Sequence, residues 1–442
     1  MPVSYASPGV YVEEIERGVK PIEAVGVSTA AFIGVTEEAS LKAIDPMTGE
    51  RVAVESRINK PTLVTNWSQF VDIFGDFTPG AYLPDAVYGY FANGGGPCYV
   101  TSLRALAEEK GRVRAAEASI PSTGRGASFK VTAKTPGPAG NELVVIIKLT
   151  GEDTFSMTVG GETKSGLTMK KGAEGYIGDT TFERVTISDV GSAMPQEGSY
   201  ALSGGGVQPL TAADFIGNAA DRTGLGGLEA LDDVRLISCP DLMAGYDGSG
   251  EAKQRIKMVQ EAMVAHCERM KYRFAVLDTP PGLNAAQARE WRQELNLDSS
   301  YAALYYPWIE IADLSGNGST TKLVPPSGHM VGVFNRSDAE RGVHKAPANE
   351  VVRGALGLEL NLSRGEQDVL NPIGVNCIRA FPGRGIRVWG GRTLSSDGAW
   401  RYINVRRLFI MVEASMDVGL QWVVFEPNDS KLWARVRRDV TS

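Results

Sequence analysis

The sequence contains no hydrophobic run long enough to span a membrane. Its longest weakly charged stretch, residues 24–36, includes Gly and Ser and is shorter than the roughly 20 apolar residues that a membrane-spanning helix needs. The N-terminus also lacks a basic region followed by an apolar segment, so we expect no secretory signal. These absences predict a protein that is made in the cytoplasm, does not insert into a membrane, and leaves the cell, if at all, inside a larger particle.

An excess of basic residues is also absent. The formal net charge is -7, whereas a general nucleic-acid or anionic-membrane binder needs a basic face. We therefore expect no nucleic-acid partner. The length of 442 residues and the apolar content of 43% are typical of a globular protein of two or three domains with a substantial buried core.

Cysteine and histidine are too scattered to predict a metal site. The sequence has no CxxC pair, and every cysteine lies in an apolar segment typical of a buried free thiol: Cys98, Cys239, Cys267 and Cys377. The histidines are predicted to lie in a helix (His266) and in two loops (His329 and His344), without the spacing of a helical zinc site. We expect no metal and no cofactor.

Signatures of catalysis are missing as well. No nucleophile elbow and no phosphate-binding loop occurs, and the triple glycine at 94–96 follows a predicted helix, where it indicates a helix end rather than a phosphate site. Asp278 is the most enzyme-like residue, because it ends a predicted strand of an α/β sheet. A lone carboxylate there more often caps the next turn. An α/β enzyme that uses Asp278 and the loops near His329 and His344 stays an alternative.

Alternating strand and helix patterns predict an α/β core, with a mixed, mostly parallel sheet and helices on both faces. Strand-like segments occur at 29–35, 234–240, 273–280 and 301–309. Helical patterns occur at 65–75, 251–271, 285–295 and around 349–356. We assign residues 26–104 and 211–442 to this discontinuous core domain.

A stretch rich in Gly, Thr, Ser and Lys interrupts the core. Its short alternating runs, separated by turn signals, lie at 128–133, 143–149, 155–159 and 182–188. We predict an inserted all-β domain, a sandwich or small barrel, at residues 105–210.

Residues 1–25 are predicted to form an extended N-terminal arm. Pro8 and Gly9 precede an alternating run with little to bury on either face: Val10, Tyr11, Val12, Glu13 and Glu14. A frayed terminus and a strand that pairs with a neighbouring subunit both fit this pattern.

The C-terminal part carries the most specific signal. Its segments NPIGVNCIRAFPGRGIRVWGGR (371–392) and WRYINVRRLFIMVEASMDVGLQWVVFEPNDSKLW (400–433) resemble contractile tail sheath proteins, the outer-tube subunits of contractile phage tails and bacterial contractile injection systems. PGVYVEE at 8–14, YLPDAVYGYFANGG at 82–95, RFAVLDTP at 273–280 and VPPSGHMVGVFNRSDAERGVHKAPAN at 324–349 share the resemblance, in the same order. The predicted inserted domain resembles the family only weakly.

The resemblance implies a mechanical part rather than an enzyme. Sheath subunits form stacked helical rings around an inner tube, exchange terminal arms, and contract from a metastable state to drive the tube through a target envelope. The resemblance also implies an inner tube protein, baseplate proteins and terminator or cap proteins as partners. It implies that contraction needs no nucleotide. A phage tail, a bacteriocin and an injection particle all stay open. A static tube or shell protein is the alternative within the structural class.

Basic residues collect near the C-terminus. Between residues 373 and 442, eleven Lys and Arg face six Asp and Glu, a local balance of +5 against -12 elsewhere. A solvated basic face and a contact with a neighbouring subunit or the tube both fit. We predict Arg401, Arg406 and Arg407 as the contact residues. The resemblance also implies a further C-terminal strand that completes the intersubunit sheet, whereas this sequence reaches Ser442 in a helical pattern.

Overall fold

The computed structural model describes residues 22–107, 115–124, 126–135, 140–141, 143–204, 210–315 and 320–441. Its helices are α1 (Trp67–Phe74), α2 (Leu83–Ala92), α3 (Ala212–Ile216), α4 (Gly250–Met270), α5 (Ala285–Leu295), α6 (Ser327–Arg341), α7 (Arg364–Leu370), α8 (Ile403–Gly419) and α9 (Ser430–Thr441). None of these described helices is long and apolar enough to cross a bilayer.

The strands, in chain order, are β1 (Ala30–Thr36), β2 (Ser40–Ile44), β3 (Arg51–Ser56), β4 (Thr62–Val64), β5 (Cys98–Ala105), β6 (Glu117–Pro121), β7 (Ala127–Ala133), β8 (Val144–Leu149), β9 (Phe155–Val159), β10 (Glu162–Leu167), β11 (Val185–Ser188), β12 (Gly198–Ala201), β13 (Leu236–Ser238), β14 (Phe274–Asp278), β15 (Ala302–Tyr306), β16 (Ile309–Ala312), β17 (Thr321–Val324), β18 (Gly357–Leu358), β19 (Val375–Phe381) and β20 (Gly385–Val388).

A mixed eight-stranded sheet organises the core, in the order β20-β19-β15-β14-β13-β1-β5-β4. Neighbouring strands from β19 to β5 run parallel, whereas β20 and β4 are antiparallel at the two edges. Parallel neighbours need crossover connections, which helices such as α4 and α5 supply. The prediction of a mixed, mostly parallel α/β sheet is confirmed.

Side chains of the central strands alternate between two buried faces. Phe32 and Phe274 belong to a cluster that includes α1, α2 and α6, while Ile33 and Ala275 belong to a second cluster that includes α4 and α5. Since successive strand residues point to opposite faces, near-continuous apolar strands such as AAFIGVT are what a sheet covered on both sides requires.

Helices α2 and α6 cross closely because glycines remove side chains from the contact. A β-carbon added to Gly332 would lie 2.5 Å from the carbonyl oxygen of Tyr90 and 2.7 Å from Cβ of Asn93. One added to Gly328 would lie 2.6 Å from the carbonyl oxygen of Ala86. The two backbones therefore approach more closely than any side chain at these positions would allow.

Two smaller antiparallel sheets, β10-β9-β8-β12 and β11-β7-β6, enclose an apolar cluster of their own between Ala116 and Leu202. Phe129 and Phe155 stack at its centre, with ring centroids 6.1 Å apart. Alternating buried residues such as those of FSMTV in β9 point into this cluster. The boundaries predicted for the inserted domain, 105 and 210, stay a prediction.

The helix predicted around residues 349–356 is wrong. This segment is irregular, begins at Asn349 with a φ of 58°, and lies along β20, where the amide of Val352 donates to the carbonyl of Ile386 at 2.9 Å. The missed helix is α6, which we had predicted as a loop around His329. It has no amphipathic period because its residues from Ser327 to Ser337 are all buried.

Candidate functional site

Asp278, the most enzyme-like residue of the sequence, uses both carboxylate oxygens in hydrogen bonds within the fold. Its Oδ1 accepts the backbone N–H of Ser327 at 2.8 Å, and its Oδ2 accepts the Ser327 hydroxyl at 2.5 Å. Burial raises the pKa of this carboxyl to about 7. Asp278 therefore joins the end of β14 to the first residue of α6, 49 residues later in the chain, rather than capping the next turn as the sequence suggested.

A second buried carboxylate acts in the same way. Asp241 accepts the backbone N–H groups of Val35 at 2.6 Å, Tyr82 at 2.5 Å and Leu83 at 3.1 Å. It binds the end of β1 to the beginning of α2, and burial raises its pKa to about 7. Sequence reasoning missed this residue because its partners lie far away in the chain.

The histidines do not form a catalytic or metal-binding group. His266 lies in α4 and contacts the guanidinium of Arg273 at 2.6 Å, while burial and that guanidinium lower its pKa to about 3. His329 lies in α6, against Gly89 of α2, and His344 is exposed after α6. Within the ranges that the structure describes, no cluster of His, Cys, Asp and Glu has the arrangement of a metal site.

Burial of His329 predicts acid sensitivity. Burial lowers the pKa of this imidazole to about 4, so below about pH 6.5 the unfolded chain binds a proton that the folded chain excludes. The contribution of His329 to the free energy of unfolding is complete above that pH and is lost as the pH falls toward 4, by up to about 3 kcal/mol. We expect His329→Gln to flatten the pH dependence in this window, measured by urea denaturation between pH 4 and 7.

The matched control for this prediction is His344→Gln, because His344 is exposed. Asp241 and Asp278 contribute with the opposite sign, since their raised pKa values stabilise the fold most below about pH 4 and less as the pH rises through 7. Asp241 and Asp278 are present in both variants, so the difference between the two pH dependences reports the contribution of His329. Equal slopes in the two variants would contradict the prediction.

The cysteines are unreactive side chains of the core. All are free and buried: Cys98, Cys239, Cys267 and Cys377. Burial raises the pKa of each thiol, to about 12 for Cys267 and Cys377. The expectation of buried free thiols is confirmed.

The predicted N-terminal arm lies largely outside the described residues, including Val10, Tyr11, Val12, Glu13 and Glu14. The described chain begins at Ile22 and follows α8. There the N–H of Val25 donates to the hydroxyl of Ser415 at 2.9 Å, and the carbonyl of Val27 accepts from Arg407 at 3.0 Å. The first described residues therefore lie along α8, the penultimate helix of the described chain.

The predicted contact arginines occupy different positions from those we expected. Arg406 and Arg407 lie on α8 but are buried, at 6% and 2% exposure, and Arg401 precedes the helix and is half-buried. The Arg406 guanidinium stacks 3.6 Å from the ring centre of Trp400, and Arg407 pairs with Asp338. Neither Arg406 nor Arg407 is presented at the surface of the isolated subunit. Contact of this region with a tube or neighbour stays a prediction.

The exposed surface at this end is apolar and basic. Phe425 is 98% exposed, and it is accompanied by Val418, Val424, Trp433 and Val440, which together we call the C-terminal apolar surface. Helix α9 also carries exposed basic side chains: Lys431, Arg435, Arg437 and Arg438. The exposure of these large apolar side chains makes this region a candidate for a contact in an assembly. The amphipathic pattern of SKLWARVRRDV was the available signal.

Known proteins match this chain in sequence and in fold. Residues 236–394 match the family described as phage tail sheath protein central domain. A putative prophage major tail sheath protein of Pseudomonas aeruginosa is 27% identical over 217 residues, which are 47% of this chain and 52% of that protein. The tail sheath protein of Burkholderia phage BcepMu is 28% identical over 244 residues, 50% of this chain and 48% of that protein. The chain thus spans about half the length of these curated relatives.

Solved structures match nearly the whole chain. The helical sheath of the anti-feeding prophage in its contracted state has a TM-score of 0.55 and 22% identity, and the match covers 99% of this chain and 82% of that chain. The contracted sheath complex of an extracellular contractile injection system, PVC, gives a TM-score of 0.55 and 22% identity over 99% of this chain and 81% of that chain. This likeness establishes the fold.

Proposed function

We propose, from the premise that the chain belongs to the contractile tail sheath family, that it is the structural subunit of a sheath that stacks in rings around an inner tube and contracts. The single observation that carries the proposal is the match of residues 236–394 to the sheath central domain. That match covers the middle of the α/β core, from β13 to just beyond β20, where Asp241, Asp278 and His266 are buried in contacts within the fold.

A non-enzymatic role is consistent with the buried groups. Asp278 and Asp241 hold elements together, and the imidazole of His329 lies against Gly89 inside a helix contact. The work of contraction would come from contacts between subunits, released when a metastable lattice rearranges, and would need no nucleotide. A subunit with two well-packed faces on one sheet is suited to move as a nearly rigid body.

The N-terminal arm and the inserted β domain complete the proposed design. The arm, residues 1–25, would add a strand to a neighbouring subunit, a head-to-tail contact that generates an open helix rather than a closed ring pair. The inserted domain, residues 105–210, has a separate apolar cluster and would extend from the core without sharing its packing. Both assignments are part of the proposal.

The proposed partners are further copies of this chain, an inner tube protein, baseplate proteins, and terminator or cap proteins. We place the tube or neighbour contact in the region of Arg401, Arg406, Arg407 and α9. There the C-terminal apolar surface and its exposed arginines offer both an apolar area and charge complementarity to an acidic partner. The subunit would be made in the bacterial cytoplasm and reside in the sheath of a phage tail or contractile injection particle.

Electron microscopy of particles that contain the full-length chain tests the proposal. We expect stacked rings in two forms, one long and narrow and one short and wide, with a change between them after exposure to a denaturing or acidic trigger. Polymers of one rigid geometry under every condition would identify a static shell protein instead. A monodisperse monomer at high concentration, with or without tube protein, would refute assembly altogether.

A further inference from the structure

The first residues that the structure describes are fixed along α8. The amide of Val25 donates to Ser415 Oγ at 2.9 Å, and that hydroxyl donates in turn to the carbonyl of Met411 at 2.6 Å. Nearer the end of the helix, Gly419 leaves room for Ile22, since a β-carbon added there would lie 2.8 Å from Ile22 Cγ2. Residues 22–28, which we call the arm root, thus follow α8 over about three helical turns.

A buried ion pair anchors the other end of the arm root. Arg407 Nη1 donates to Asp338 Oδ1 at 2.8 Å and Nη2 donates to Oδ2 at 2.6 Å, which joins α8 to α6. The same Nη2 donates to the carbonyl of Val27 at 3.0 Å, and the hydroxyl of Ser28 donates to Asp338 Oδ2 at 2.9 Å. Both charged groups therefore bond to the arm root as well as to each other.

This pair is better suited to fixing geometry than to adding stability. The Arg407 and Asp338 side chains are only 3% and 7% exposed, and the guanidinium carbon lies 5.0 Å from the ring centre of Phe334. Desolvation of two charges offsets most of their attraction, so apolar residues of similar volume at such sites often stabilise a protein equally well. What apolar residues cannot supply is the pair of directional hydrogen bonds to the arm root, one from Arg407 to the carbonyl of Val27 and one from the hydroxyl of Ser28 to Asp338.

We propose that Arg407 is a positioning residue that, with Asp338, clamps the arm root to α8 and α6 and so sets the direction in which the N-terminal arm leaves the subunit. The inference rests on the proposed sheath function, since it gives the arm geometry a role in assembly. Because α8 leads into the C-terminal apolar surface, the clamp also joins the arm root to the helix that carries part of that surface.

A fixed root raises the effective concentration of the arm at its neighbour. A tethered strand that can swing samples many directions that do not reach the acceptor, whereas an aligned one samples few. Loss of the clamp should therefore raise the critical concentration for polymerisation by roughly tenfold or more, without changing the arm sequence. In the monomer, loss of the clamp should let the arm root separate from α8, which exposes its backbone amides to solvent.

The principal test is the double variant Arg407→Met with Asp338→Leu, which replaces both charges by apolar groups and keeps the packing. We expect an unchanged melting temperature within a few degrees. We also expect at least about tenfold faster hydrogen exchange in residues 22–28, because an arm root no longer held at Val27 and Ser28 separates more often from α8 and breaks the bond of the Val25 amide to Ser415. Arg407→Lys, which keeps the charge but loses the bidentate geometry, should give an intermediate exchange rate. Polymer length and critical concentration are measured by electron microscopy and sedimentation.

The matched control is Arg336→Lys. Like Arg407 of α8, Arg336 of α6 is a buried arginine. Its guanidinium, however, donates to the carbonyls of Asn93 at 3.1 Å and Val351 at 2.6 Å, and not to the arm root. Its replacement should reduce stability while leaving the exchange of residues 22–28 unchanged. A general loss of stability would therefore be recognised, since it would affect both variants alike.

An engineered disulfide between the arm root and α8 should restore the polymerisation that is lost with the clamp. A β-carbon at Gly419 would lie 3.3 Å from Cβ of Ile22, close to the separation of about 3.5–4.5 Å that a disulfide needs. Ile22→Cys with Gly419→Cys, added to the Arg407→Met and Asp338→Leu variant, should restore polymerisation when oxidised and lose it again when reduced. The native cysteines are buried and should not interfere.

Two outcomes would overturn the clamp: unchanged exchange of residues 22–28 in the double variant, or polymerisation that stays defective after the disulfide has formed. Failure of the proposed sheath function gives a different result. In that case the wild-type chain forms no polymers at all, while exchange of the arm root in the monomer still tests whether Arg407 positions it.

Discussion

Removal of residues 1–15 is expected to leave a folded subunit that assembles no further than short oligomers. The buried clusters of the described chain begin at Val27 and Ala30, so the deletion takes no residue from them. It removes Val10, Tyr11 and Val12, the alternating run that we propose adds a strand to a neighbour. Circular dichroism and thermal melting should match the intact chain, while electron microscopy should show polymers at least about tenfold shorter because each lost strand removes a link from the lattice.

Two controls separate loss of the strand from loss of length. Removal of residues 1–6 shortens the chain but keeps the segment from Pro8 to Glu14, and should preserve long polymers. A full-length variant with Val10→Gly, Tyr11→Ser and Val12→Gly keeps the length and should behave like the deletion, since these residues disfavour a paired strand. Normal sheath assembly by the chain that lacks residues 1–15 would refute the role of the arm.

Gly332→Ala is expected to destabilise the subunit by about 2 kcal/mol or more, although alanine is the better helix former by about 1 kcal/mol. The new β-carbon would lie 2.5 Å from the carbonyl oxygen of Tyr90 and 3.0 Å from its Cα, and backbone atoms cannot rotate away as a side chain can. Helices α2 and α6 would have to separate. Urea denaturation at concentrations below polymerisation measures the effect.

Gly365→Ala is the matched control for this prediction. Gly365 also lies in a helix, α7, but a β-carbon added there meets no atom within 4 Å. The substitution should be neutral or stabilise by up to about 1 kcal/mol, because only the cost of ordering glycine is removed. If the two variants changed stability in the same direction, the close approach of α2 and α6 would not be the reason for Gly332.

The elements that the sequence predicted correctly carry local signals. Asn66, Ser249 and Asn284 each cap the helix that follows, and each side chain accepts the N–H three residues on. Apolar strands such as β14 and β15 stand between such helices, so their identity and parallel arrangement follow from the order alone. These signals placed α1, α4 and α5 within a residue or two of their observed bounds.

Helix α6 failed because its signal is not local. A helix that is buried all round shows no period, and its two glycines resemble a turn until the partner helix is known. The packing partners of Gly328 and Gly332 lie in α2, about 240 residues earlier in the chain. No pattern within α6 itself contains that information.

The accessible charges of the candidate contact region could not be predicted from the sequence either, because their burial depends on distant residues. A count of arginines near the C-terminus predicted a basic surface, but Arg407 is neutralised by Asp338, 69 residues away in sequence. Arg406 lies against Trp400 and Tyr301. Composition gives the number of charges, whereas burial decides which of them a partner can reach. The cations of α9 are at the surface, and so is Arg384.

The segment that lies along β20 has a consequence for the subunit before it assembles. By pairing with β20 near Val351 and Val352, it occupies backbone groups at one border of the main sheet, and the other border ends in β4, a strand of three residues. A long edge strand with unpaired backbone N–H and C=O groups can pair with the same edge of another copy, which leads to aggregation or fibres. Under the proposed sheath function, free subunits should therefore stay dispersed and associate only through their specific contacts.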